Sequence, residues 1–126
     1  MLGGPRRDSP APMTLIYKIM DDCSWSAAKA LGIVEPAPVD VTDGYIHLST
    51  EKQVLETVRR HFAGRDGLVA VAFRASDFGA ALKWEISRGG ALFPHLYADL
   101  PAVKAVSVRR LKRIAFFEYE FGEVIE

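Results

Sequence analysis

Cysteine is almost missing from this chain: Cys23 stands alone among 126 residues. No disulfide can close within one copy, no cysteine-based zinc site can be built, and a reducing compartment is implied. An excess of either charge is missing too, since sixteen basic residues face sixteen acidic ones. No global field draws the protein onto nucleic acid or an anionic membrane, so an anionic ligand has to be caught locally. No apolar run reaches the roughly 18 residues that a membrane span requires, and the N-terminus lacks the apolar stretch of a signal peptide. The expectation is a cytoplasmic protein without a membrane partner.

Several motifs are absent. There is no GxGxxG after a strand, no P-loop and no GxSxG elbow, which removes the commonest nucleotide-binding and esterase signatures. The three histidines are too widely spaced for HExxH, and local spacing supports no metal site. What is present is ordinary globular composition, 49% hydrophobic and 25% charged, enough for one domain that buries somewhat under about 70% of its unfolded surface.

Residues 1–12, "MLGGPRRDSPAP", read as a flexible tail, 13–122 as a single α+β domain and 123–126 as an acidic end. "TLIYKIM" (14–20) alternates as a first strand, and "DDCSWSAAKALG" is a short helix with Asp22 or Ser24 as cap and Gly32 as stop. "IVEPAPVDVTDG", with two prolines and an Asp-Gly pair, reads as mostly loop. Thr50 and Gln53 stand at capping-box spacing ahead of the apolar face Val54, Leu55, Val58, Phe62, and Gly64 ends that helix. "LVAVAFR" (68–74) is a central strand buried on both faces. "VKAVSVRRL" and "IAFFEYEF" are two last strands. Helices early and strands late argue for α+β rather than a parallel βαβ fold.

Strand alternation groups the polar residues. In "YIHLS" the core claims Ile46 and Leu48, so Tyr45, His47 and Ser49 share the other face. In "LKWEIS" Leu82, Trp84 and Ile86 face the core while Lys83, Glu85 and Ser87 do not. In "FPHLY", Phe93, His95 and Tyr97 line up against Leu96. Three segments thus offer groups that donate, accept or titrate near neutral pH, and Arg88 follows with a fork suited to phosphate. The structural alternative is a sheet with one wet face. His61 suits a helix C-terminus, "RRLKR" (109–113) suits a solvated turn or strand edge, and Cys23 beside Trp25 suits plain packing.

The blocks "DGYIHLST", "HF", "WEISRGG" and "FPHLY", in this order from about Ile16 to about Val106, resemble the bacterial family catalogued as domain of unknown function 952. That family's fold is similar to the ADP-ribosyltransferases. The resemblance implies two small, mainly antiparallel and roughly perpendicular sheets around an NAD-sized cleft, with two short helices. It also implies that the early-strand His47 hydrogen-bonds a ribose and that Glu85 is the late glutamate on the nicotinamide ribose. "HLY" is the nearest counterpart of the tyrosine-rich NAD-clamping segment. Breaking a nicotinamide–ribose bond passes through an oxocarbenium-like state that a carboxylate stabilises. The expected site is therefore Glu85 and His47 as catalytic residues, with Ser49, Thr50, Arg88, His95 and Tyr97 binding the ligand. NAD is the candidate substrate, with transfer of ADP-ribose or NAD hydrolysis as the reaction. The alternatives are a non-catalytic ligand- or peptide-binding module and, disfavoured by the balanced charge, an RNA-processing enzyme.

Overall fold

The computed structural model describes residues 14–126, and the tail expected over 1–12 lies outside them. In chain order the elements are β1 (Leu15–Asp21), α1 (Asp22–Leu31), β2 (Ile33–Val34), α2 (Pro38–Asp43), β3 (Ile46–His47), β4 (Ser49–Thr50), α3 (Glu51–His61) and β5 (Leu68–Arg74). After β5 come β6 (Leu82–Ile86), β7 (Leu92–Leu96), β8 (Leu100–Pro101), β9 (Ala105–Ala115) and β10 (Glu118–Val124). The strands form an antiparallel five-stranded sheet, β10-β9-β5-β1-β4, and an antiparallel three-stranded sheet, β3-β7-β6. A two-stranded ribbon of β2 and β8 is a third unit that the expected two-sheet arrangement did not include.

The central strand behaves as its apolar run dictates. Val69, Val71 and Phe73 of β5 pack into one cluster with Trp25, Ile46, Leu82 and Leu96. Leu68, Ala70 and Ala72 pack into the other with Val54, Val58, Leu111 and Tyr119. A strand with no wet face needs apolar residues at every position, which is why "LVAVAFR" does not alternate. Burying Phe73 completely contributes about 1.5–3 kcal/mol by itself.

Local rules set the helix ends. The α1 cap is Asp21, one residue before the expected pair: its carboxylate accepts from the Ser24 N–H at 2.7 Å. At α3, Gln53 Oε1 accepts from the Thr50 N–H at 3.0 Å, and Gln53 Nε2 donates to the Leu92 carbonyl at 2.8 Å. One side chain thus closes the helix start and ties it to β7.

Three expectations are corrected. "PVDVTD" is a helix, α2, rather than loop, so the described residues hold three α-helices instead of two. Pro38 fits the first turn because its missing N–H would have been unpaired there, and Gly44, at φ 85°, provides the left-handed stop that other residues resist. "RRLKR" lies inside the eleven-residue β9, and the turn falls later, at Phe116 and Phe117, so "IAFF" does not begin a strand. Ile86 is 73% exposed despite its core-facing parity. It sits where β6 ends and the chain turns back toward β7, beyond the edge of the core.

Candidate functional site

The stretch around His47 is not one strand. Ile46 and His47 pair with Leu96 and His95 in the three-stranded sheet, whereas Ser49 and Thr50 pair with Tyr17 and Ile16 in the five-stranded sheet. Leu48 makes the crossing. Its side chain is buried and its N–H donates to the Pro94 carbonyl at 3.1 Å, so the chain changes sheets without leaving that group unpaired. Ile46 and Leu48 do face the core, as alternation requires. His47 and Ser49 then enter one cleft from different sheets.

The register brings the expected polar residues onto one face. His47 is opposite His95, His95 is opposite Lys83, and Glu85 is opposite Phe93. Glu85 Oε1 meets His95 Nδ1 at 2.8 Å and accepts from the Tyr97 hydroxyl at 2.7 Å. An ionised carboxylate only accepts, so Nδ1 is the donor and the tautomer of His95 is set by this contact. Among the described residues nothing hydrogen-bonds His95 Nε2, and this nearly buried ring lines the cleft. Tyr45 stacks on the His95 ring with centroids 4.0 Å apart. The Tyr97 and then the His95 hydrogen bonds hold the Glu85 carboxyl below its ordinary range, and the same Glu85 contact pushes the Tyr97 phenol up to about 12.

His47 is gripped from both sides. Its Nδ1 lies 2.6 Å from Asp40 Oδ1 and its Nε2 2.9 Å from Asp43 Oδ2, both carboxylates coming from α2. Asp40 is more heavily used still. Oδ1 also accepts from the His47 N–H at 3.0 Å, while Oδ2 accepts from Lys18 Nζ at 2.9 Å and the Ala37 N–H at 2.8 Å. Four donors fill the four lone-pair positions of one buried carboxylate. Burial opposes ionisation of Asp40, but the Lys18 cation and then the hydrogen bonds from Lys18 and His47 outweigh it, so the carboxyl sits below its ordinary value. Lys18, itself buried, also donates to the His47 carbonyl at 3.1 Å.

Sequence reasoning missed Asp40, Asp43 and Lys18 as site residues. The signal for Asp40 was Pro38 at a first helical position, an acid two residues on and Gly44 as stop, a short-helix signature hidden by the proline count. Lys18 stood in a strand read only through its Leu15, Tyr17 and Ile19 face.

Of the other expected residues, Ser49 is buried and its hydroxyl lies 3.1 Å from that of Thr57. Thr50 begins α3 and its backbone is taken up by Gln53. Arg88 stands in the turn after β6, and its side chain lies outside the described residues. The cleft itself has a volume of about 540 Å³, within the roughly 300–1,000 Å³ range of small-molecule sites. Its walls come from β1, the start of α2, the crossing at Leu48, the end of α3 and β7. Tyr97 belongs instead to a second cavity of about 240 Å³, on the side of Tyr45 and Asp99. Among the described residues no cluster of metal-binding side chains is present, and no helix is long and apolar enough to cross a membrane.

These features define a class: a small α+β protein with two main antiparallel sheets and a cleft walled by carboxylate-held histidines. The chain belongs to the family described as "Protein of unknown function (DUF952)", which matches residues 19–108. It is similar to protein CC0527 from Caulobacter crescentus, whose crystal structure gives a TM-score of 0.80 at 45% identity, over 85% of this chain and 94% of that one. The solution NMR structure of CC0527 gives a TM-score of 0.73 at 45% identity, over 82% and 90%. No curated protein matches the chain.

Proposed function

We propose that a nucleotide of the NAD type binds in the cleft and extends past its His95 wall to Glu85, which lies behind that wall and outside the cleft lining, and that Glu85, with His95 beside it, acts on the ribose to transfer ADP-ribose or hydrolyse NAD on an ADP-ribosyltransferase-like fold. The observation that carries this reading is that, among the described residues, both donors to Glu85 use one oxygen, Oε1. The carboxylate is thereby oriented, while Oε2 is left for a ligand hydroxyl. A carboxylate so placed stabilises an oxocarbenium-like state, and its hydrogen bond to a sugar hydroxyl strengthens as positive charge develops. In hydrolysis, water adds at the anomeric carbon, the bond to nicotinamide breaks with its electron pair going to the neutral leaving group, and His95 Nε2 takes the proton from water.

In this reading His47 is a positioning residue rather than a catalytic one. Both of its ring nitrogens are already held by carboxylates, so it fixes α2 against the cleft. Ser49 and Phe62, both in the cleft lining, supply the hydroxyl and flat surface that a ribose and an aromatic ring require.

The test is calorimetric titration with NAD and ADP-ribose, followed by incubation with NAD and mass analysis for nicotinamide. Wild type is expected to bind both and release nicotinamide, and Glu85→Gln to bind without release. Absence of binding by wild type removes the nucleotide reading, and binding without release reduces it to a non-catalytic module.

A further inference from the structure

Around the larger cleft the charges are one-sided. Lys18, His47, His61, Arg65 and His95 all line it, yet among the described residues no aspartate or glutamate does, in a chain with as many acids as bases. The smaller cavity is the reverse, with Asp40 and Asp99 in its lining and no basic side chain among the described residues. The two cavities share α2 as a partition: Asp40 turns its carboxylate onto Lys18 and His47, while Pro38 and Val39 face the larger space. We infer that the larger cleft selects an anionic ligand with a flat apolar body, a carboxylate or phosphate ester, and that Arg65 is the residue that recognises its charge.

Arg65 is chosen because, besides it, the lysine in the lining is already committed to a carboxylate, as are two of the histidines. Asp40 already neutralises Lys18 and grips His47, and His95 is tied to Glu85. Arg65 has an anchored backbone and a loosely held head. Its N–H is within hydrogen-bonding reach of both the Phe62 carbonyl and the Tyr119 hydroxyl, at 3.0 Å each, and its carbonyl accepts from that hydroxyl at 2.7 Å. The guanidinium carbon lies 5.1 Å from the Phe62 ring centre, in cation–π range. Its one carboxylate contact among the described residues, to Asp21, is 3.5 Å between two partly exposed groups, and Asp21 is primarily engaged by the Ser24 N–H at 2.7 Å. Such a contact is worth little and yields readily to a bidentate anion. Tyr17, Phe62 and Phe93 supply the apolar wall for the ligand's body, with Ser49, Thr57 and Ser87 as hydroxyls beside it. With no net charge on the chain, this selection depends on the lining itself rather than on a long-range field.

The inference rests on the cleft being a ligand site, but not on the ligand being NAD. Its test uses pairs that differ in charge alone: AMP against adenosine, and benzoate against benzamide, titrated into the full chain at low and high salt. At least one anion is expected to bind roughly tenfold or more tightly than its uncharged partner. That advantage should shrink to under about threefold in Arg65→Gln and partly return in Arg65→Lys, with circular dichroism confirming that both variants are folded. If benzoate shows the advantage while AMP and NAD fail to bind, the charge inference stands and the nucleotide reading falls. If adenosine binds as tightly as AMP and benzamide as tightly as benzoate, the charge inference falls and the nucleotide reading stands. Failure of both anions to bind, or an advantage unchanged in Arg65→Gln, also overturns the inference.

Discussion

Asp40→Ala should be among the most destabilising single substitutions on the cleft wall. Among the described residues it strips the only carboxylate partner from Lys18, a cation with 9% side-chain exposure, and leaves it the His47 carbonyl alone. It also orphans the N–H groups of Ala37 and His47 and releases one nitrogen of the imidazole. Removing one partner of a buried ion pair costs about 3–5 kcal/mol, chiefly because the other charge stays buried without compensation. For a chain of this size that is roughly 10–20 °C in Tm, and a large part of a typical total of about 5–15 kcal/mol. Urea unfolding followed by circular dichroism measures it. The cycle with Lys18→Met isolates the cause: the double variant should lose at least about 1 kcal/mol less than the sum of the two single losses. The pH dependence has a definite sign. Because the Asp40 carboxyl is held below its ordinary value in the folded protein, its contribution is complete above the unfolded value of about 3.9. That contribution is lost as pH falls through the lowered folded value. A loss under about 1 kcal/mol in Asp40→Ala, or strict additivity with Lys18→Met, would refute the reasoning.

Glu85→Gln removes the charge that holds the Tyr97 proton, so the Tyr97 titration should move down from about 12 toward its ordinary value near 10, read by phenolate absorbance. An unmoved titration would show that Glu85 does not control that phenol. Gly64→Ala should cost about 1–3 kcal/mol, since Gly64 has φ +79° and an added Cβ would lie 2.7 and 2.9 Å from two carbons of the Phe116 ring. Adding Phe116→Ala, at a ring 57–58% exposed like its neighbour Phe117, should recover the ring clash but not the backbone strain; full recovery in urea unfolding would refute the strain argument. Phe73→Ala, in a fully buried central strand, should cost about 3–5 kcal/mol by the same assay, and a value below about 1 kcal/mol would contradict the packing described.

Much of the scaffold was legible locally. The uninterrupted apolar run of β5, the Thr50–Gln53 spacing and the Gly32 stop each express short-range rules, and each appears in the structure. Alternation also grouped His95, Glu85 and Tyr97 correctly, because β7 and β6 pair directly and period two survives across a hairpin. Alternation failed at Ile86, where the strand outruns the core, and misdescribed His47 and Ser49, which look like one strand but belong to two sheets. A change of sheet at a single residue leaves no periodic trace.

By itself, then, the sequence determined the α+β character, both faces of the central strand, two of the three helices among the described residues and the list of side chains able to do chemistry. Those depend on neighbours within a few residues, where periodicity and capping act. Only the tertiary structure decided which of those side chains are available. Lys18 and Asp40 are 22 residues apart in the chain and meet as a buried pair. His47 is consumed by that pair's network, while His95 is left with one nitrogen toward the cleft. The single-sign lining of that cleft likewise gathers residues from distant elements. Electrostatic partners are set by separation in space, and separation along the chain carries almost no information about it.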